Sequence, residues 1–187
     1  MATVVVVYHS GNGYTAKQAQ AVATGANAIL MAINSEGNLS DAEWATLDAS
    51  DAIIMGSPTY MGMVTWQFKK FADATSRQWM AQKWKDKIAA GFTNSASMNG
   101  DKLSTMHYIF TLAMQHSMIW TGTGLVHSAS MDAQTDEWNY VGSFSGAMAT
   151  TSQDVSRDEL HQGGLETAKQ FGMRVAAVTA RWVAGRK

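Results

Sequence analysis

Apolar and polar positions along this chain fall into alternating blocks. Val4-Val5-Val6-Val7-Tyr8 is a short continuous apolar run closed by a loop with two glycines, the pattern of a strand buried on both faces. The Ala-rich segment Tyr14–Ala26 behind that loop predicts a helix. Further apolar runs at 28–33, 51–56 and 87–93, and one that starts near Met118, predict four more strands. Between them, Trp66, Phe68, Phe71 and Ala72 share a helical face. Leu103, Met106, Ile109 or Phe110, Ala113 and His116 recur at three- and four-residue steps, which predicts a helix over about 102–116. Ser40-Asp41-Ala42-Glu43 has capping-box spacing and starts a short helix. Gly, Ser, Thr and Asp dominate about 122–157, which predicts an irregular excursion over the ligand-binding end. From about Asp158 a final helix buries Leu165, Ala168, Phe171, Val175, Val178 and Trp182.

Strands that alternate with helices imply an α/β fold, a doubly wound five-stranded parallel sheet covered on both faces. Such sheets bind ligands beyond the carboxyl ends of their strands, where the order of strands reverses. Three loops converge there: Ser10 to Thr15, Ser57 to Met63, and Thr93 to Gly100.

The first loop is suited to phosphate. Gly11 and Gly13 permit positive φ and close backbone approach, while Ser10, Asn12 and Thr15 add side-chain donors beside the open N–H groups and positive dipole of a helix start. Two readings compete. Gly11-x-Gly13-x-x-Ala16 fits the dinucleotide fingerprint, with Glu36 about twenty residues on as its ribose-binding acid. Alternatively the hydroxyl- and amide-rich Ser10-x-Asn12-Gly13-Tyr14-Thr15 wraps a terminal phosphomonoester, whose near-double charge and three acceptor oxygens demand many donors. The other two loops carry small polar residues with Tyr60, Met61 and Met63, which suit a flat heteroaromatic ring. Phosphomonoester and ring together describe FMN.

Composition narrows the field. At 187 residues the chain suffices for one domain, 1–187, and leaves no room for separate nucleotide and substrate domains, which weakens the dinucleotide reading. A net charge of −1 without basic or acidic runs argues against nucleic acid as a partner. Charged residues make up only 16% while Met and Trp are abundant, which implies surface covered by another subunit. No cysteine is present, so disulfides and metal-thiolate sites are excluded. The histidines show no metal-ligand spacing, so no metal is expected. No run approaches the length of a bilayer span, and no leader pattern opens the chain, so a cytoplasmic protein without membrane insertion is expected.

Several motifs in register carry a family resemblance. Ser10-x-Asn12-Gly13-Tyr14-Thr15, Gly56-Ser57-Pro58-Thr59-Tyr60-Met61-Gly62, Trp84-x-x-Lys87, Phe92-Thr93-Asn94-Ser95 and Gln115-His116-Ser117-Met118 resemble the flavodoxin-like NAD(P)H-dependent oxidoreductases. The similarity is greatest to the tryptophan-repressor-binding-protein type of NAD(P)H:quinone oxidoreductase. The resemblance implies strand order 2-1-3-4-5, an FMN domain, NAD(P)H as transient donor, quinone-type acceptors, and a homodimer or homotetramer. By position it implies that Ser10, Gly11, Asn12, Gly13, Tyr14 and Thr15 hold the FMN phosphate. Pro58, Thr59, Tyr60, Met61 and Gly62 border the ring, and Thr93, Asn94, Ser95, Ala96 and Gly100 meet its pyrimidine edge. His116 is the implied catalytic residue, reaching a flavin from another subunit, and Tyr60 and Trp79 are the implied substrate-binding aromatics.

The sequence also departs from that branch. Tyr60 stands where Arg is usual, Asn12 replaces an aromatic, Ala96-Ser97-Met98-Asn99 replaces a more Gly-rich loop, and the segment between the second and third strands is shorter. These changes bear on nucleotide preference and acceptor identity. Two other functions fit the same fold: a long-chain flavodoxin acting as an electron carrier, for which a net charge of −1 is weakly acidic, and a regulatory module that uses FMN structurally.

Overall fold

A computed structural model describes residues 2–127, 129–151 and 162–186. Strand β1 (Val4–Tyr8) is buried at every position, and its period-two geometry sends Val4, Val6 and Tyr8 to one face of the sheet and Val5 and Val7 to the other. Two hydrophobic cores result. One packs helix α1 (Tyr14–Ala26) and helix α6 (Gln162–Gly185) on the first face. The other packs α3 (Trp66–Ala74) and α5 (Lys102–Gln115) on the second, around Phe68, Phe71, Trp84 and Ile109.

Strands β2 (Ile29–Ala32), β3 (Ala52–Pro58), β4 (Ile88–Ser95) and β5 (Ile119–Trp120) complete a parallel sheet in the order β2-β1-β3-β4-β5. This is the 2-1-3-4-5 order expected, and it differs from the 3-2-1-4-5 order of the dinucleotide fold, so the phosphomonoester reading prevails over the fingerprint reading. Glu36 lies in an exposed turn, with its carbonyl accepting from Lys70 Nζ at 2.7 Å.

The edge of the sheet departs from expectation. A further strand, β6 (Ala147–Thr150), lies within the segment expected to be irregular and also pairs parallel to β4. The registers Ala89↔Trp120 and Phe92↔Ala147 place β5 and β6 one after the other along β4. They are two halves of one edge strand, with residues 121–146 leaving and returning between them.

Helix α2 (Asp41–Ala49) begins with the expected capping box between Ser40 and Glu43. Its other end is closed by Lys87, whose buried Nζ donates to the carbonyls of Asp48, at 2.8 Å, and Ser50. Trp84 Nε1 donates to Asp48 Oδ1 at 2.9 Å. In the Trp84-x-x-Lys87 motif, Lys87 therefore caps orphan carbonyls at a helix end while Trp84 holds the Asp48 carboxylate beside them. Trp182, expected in a buried stripe, is 37% exposed, and Trp66, expected on or near the apolar face of its helix, is 60% exposed. Residues 158–161 of the expected final helix lie outside the described residues, as does the end of the expected excursion.

Candidate functional site

Strand β1 ends at Tyr8, and the chain turns through Gly13, whose φ of 92° caps helix α1 in the left-handed region that glycine enters without strain. Ser10 Oγ accepts from the N–H groups of Gly13 and Ala16, each at 3.1 Å, which fixes the loop against the first helical turn. Next along the sheet, β3 runs on to Pro58, two residues beyond its pairing with β1, where a missing N–H costs the ladder nothing. The chain then doubles back: Tyr60 and Met63 exchange backbone hydrogen bonds at 2.9 and 3.1 Å across Met61 and Gly62, both with positive φ, 48° and 76°. This is a two-residue turn of the primed kind, and it holds Met61 fully exposed at its tip.

Between these loops and the one after β4 opens a cleft of about 550 Å³. It is lined by Asn12, Tyr14 and Thr15 from the first loop, Pro58, Thr59, Tyr60, Met61 and Gly62 from the second, Asn94, Ser95, Ala96, Ser97 and Gly100 from the third, and Thr151 beyond β6. None of these carries a charge. Thr151 was not foreseen, because only the return of β6 to the sheet brings it to the carboxyl end of β4, where its N–H donates to Ser95 O at 3.0 Å.

Four expected residues act from behind the lining. Ser10 and Gly13 shape the loop, and Gly11 lies beneath the Tyr60 ring, where a Cβ would fall 2.7 Å from the phenolic oxygen. Thr93, expected at the pyrimidine edge, is fully buried and does not line the cleft: its hydroxyl bonds that of Thr59 at 2.8 Å, and Thr59 donates on to Thr105, also at 2.8 Å. Burial pushes the Tyr60 phenol up, and a hydrogen bond from the Asn12 backbone partly opposes it.

Two further expected residues lie away from the cleft of their own chain. His116 caps the far end of α5 and is 4% exposed. Its Nε2 bonds Thr75 Oγ1 at 2.8 Å and its ring packs on Trp84 at 4.6 Å, within its own chain. The imidazole is thus enclosed within its own chain, where burial holds it below its ordinary pKa, and it does not line the cleft of that chain. Trp79 is half-exposed on the short helix α4 (Ser76–Met80), which leads to the amino end of β4, so it does not line the cleft of its own chain.

The residues present fit FMN. The cleft has the size of a cofactor site, about 300–1,000 Å³. A helix start opens on one end of it, and a mononucleotide phosphate is met by such an N-terminus without a lysine. Asn94 lines the cleft, its Oδ1 accepts from Thr15 at 3.2 Å, and its buried Nδ2 has no partner among the described residues. Gly100, at φ 54°, is held so close to Ser95 that a Cβ would fall 2.2 Å from its Oγ. Among the described residues no cluster of side chains suits a metal ion, and no helix is long and apolar enough to cross a membrane.

The family model described as NADPH-dependent FMN reductase matches residues 41–131. Flavodoxin FldP of Pseudomonas aeruginosa is 47% identical over 95% of this chain and 97% of its own. An NAD(P)H dehydrogenase (quinone) of Archaeoglobus fulgidus is 30% identical over 97% of this chain and 99% of its own. The crystal structure of a flavodoxin, WrbA-like protein from Agrobacterium tumefaciens superimposes with a TM-score of 0.81 at 49% identity, covering 97% of this chain and 99% of that one. With relatives of this kind along its whole length, the chain belongs to the flavodoxin-like NAD(P)H-dependent oxidoreductases of the WrbA type, a flavin-dependent oxidoreductase whose cofactor is FMN.

Proposed function

We propose that this protein is an NAD(P)H:quinone oxidoreductase, built as one FMN-binding domain, cytoplasmic, and working as a homodimer or homotetramer. Bound in the cleft, FMN supplies two-electron chemistry between the pyridine nucleotide and a quinone-type acceptor. The chain's own residues bind and orient. The Ser10–Thr15 loop holds the phosphate, Pro58 to Gly62 border the ring, and the Asn94–Gly100 loop faces the pyrimidine edge with backbone donors that stabilise charge developing there.

The observation that carries the reading is the Tyr60–Met63 turn, which raises the half-exposed Tyr60 and fully exposed Met61 on the rim of an uncharged cleft. A flat acceptor gains from aromatic and thioether contact at such a rim. Trp79, exposed at the opposite end of its own chain, serves a cleft only across an interface between copies. The quinone-reductase name of the relative from Archaeoglobus supports the same reading.

A second reading, electron carrier, draws on the name of the 47% identical relative and on the split edge strand, whose connecting segment exposes Met131, Trp138 and Phe144 to a protein partner. Anaerobic stopped-flow mixing of the FMN-loaded protein with NADPH and with NADH, followed by benzoquinone, separates the two. Rapid bleaching and rapid recovery of the flavin absorbance supports the reductase and names its donor. A flavin that dithionite bleaches and neither nucleotide does makes the chain a carrier.

A further inference from the structure

Lys102 is the first residue of α5, and it is 2% exposed. A helix N-terminus and a buried site both disfavour a cation. Among the described residues it forms no ion pair. Its Nζ instead donates to Ser95 Oγ at 3.0 Å, Ser97 O at 2.7 Å and Met98 O at 2.8 Å, with Thr150 Oγ1 at 3.5 Å. The ammonium therefore sits behind the loop that lines one side of the cleft, and draws two successive carbonyls inward. In trans peptides the N–H groups of Met98 and Asn99 then point the opposite way. Among the described residues, the N–H groups of Ala96 to Gly100 have no protein acceptor.

We propose that Lys102 is a positioning residue that raises the electron affinity of the bound flavin, by holding the Ser95–Gly100 loop with its amides outward and by placing a full positive charge behind it. The inference rests on FMN lying with its pyrimidine edge toward this loop. On reduction FMN takes two electrons and one proton from NAD(P)H, and the resulting negative charge concentrates at its N1 and C2 carbonyl. The cleft lining is otherwise uncharged, so a cation one loop away acts through little screening. Burial draws the Lys102 pKa down to about 8, so the charge is present at neutral pH and lost just above it. The groups facing it bring no competing titration from the loop or from Thr150 of β6; the adjoining charge is that of Asp101, the N-cap residue just before its helix.

The test is the midpoint potential and FMN affinity of Lys102→Met and Lys102→Gln beside the wild type. The expected result is a preference for reduced over oxidised FMN that falls at least tenfold, about 30 mV for a two-electron couple. A variant that binds FMN more weakly in both states, with its potential unchanged, reduces Lys102 to a loop staple and overturns the proposal. Should the variants not fold, proton uptake on reduction of the wild type decides. One proton per two electrons near neutrality, rising toward two as the pH passes about 8, supports it; uptake that does not rise overturns it. Wild-type protein that retains no FMN would instead remove the placement of the cofactor itself.

Discussion

Thr15 on helix α1 and Asn94 at the end of β4 are joined by a hydrogen bond, Thr15 Oγ1 donating to Asn94 Oδ1 at 3.2 Å. It ties the loop proposed to hold the phosphate to the loop proposed to face the other end of the cofactor. Thr15→Val removes the tie and leaves Asn94 with both amide atoms unpartnered, a loss of about 1 kcal/mol or roughly fivefold in FMN affinity. Thr15→Glu puts a carboxylate at the proposed phosphate position and should abolish flavin retention. Fluorescence titration of the apoprotein with FMN measures both, and a yellow Thr15→Glu protein with unchanged affinity would displace the phosphate from this loop.

Gly56 of β3 meets the ring of Phe92, and a Cβ on it would fall 2.0 Å from Phe92 Cζ. Gly56→Ala should cost about 1–3 kcal/mol in urea unfolding, because a full core must shift to admit a methyl. Phe92→Leu in the same chain should recover part of that loss. Two costs that simply add would mean that the ring does not set the clash.

His9 and His116 are both buried, each with one ring nitrogen on a threonine hydroxyl, and burial holds both below their ordinary pKa. The unfolded chain therefore binds their protons more tightly. Stability is complete above the ordinary value of 6.5 and falls as the pH drops through it toward the folded values. The slope is at most about 1.4 kcal/mol per pH unit for each histidine. His116→Gln should flatten that fall while leaving the rate of flavin bleaching by NAD(P)H within about twofold, since a group that only packs a helix end supplies no rate. A large loss of rate with stability intact would return His116 to the reaction.

Met61 is the exposed residue of its turn held at positive φ without being glycine. Met61→Asn creates Asn-Gly at the two central positions, the sequence that such turns favour, and should raise stability by about 0.5–1 kcal/mol. If the thioether meets the acceptor, KM for benzoquinone should rise several-fold in the same variant. A stabilised protein with unchanged quinone kinetics would separate the strained backbone from acceptor binding.

Much of this was legible in the chain. Four consecutive valines and a glycine loop specify β1 and its turn locally, and local signals survive folding. Strand β6 was not legible, because Ala-Met-Ala-Thr has neither the alternation nor the bulk of a strand and gains its identity from β4 alongside. Trp66 and Trp182 lie near apolar faces yet remain exposed, since periodicity gives a direction and says nothing about what covers it. His116 and Trp79 show a different limit: a motif carries a residue to a position, while its neighbours decide where the ring points. Lys102 enters the sequence reading only as the start of the helix expected over about 102–116, and the one sign of its role there is a lysine at the wrong end of a helix dipole.

The divided edge strand has a consequence for how the molecule can change. Trp120 and Ala147 pair with β4 at positions three residues apart, so the ends of the 121–146 segment emerge about 10 Å from each other on a template that neither end supplies. Its length is thus uncoupled from the register of the sheet. A lineage can lengthen, shorten or exchange that segment, and with it the apolar side chains it exposes, without disturbing the three loops that line the cleft.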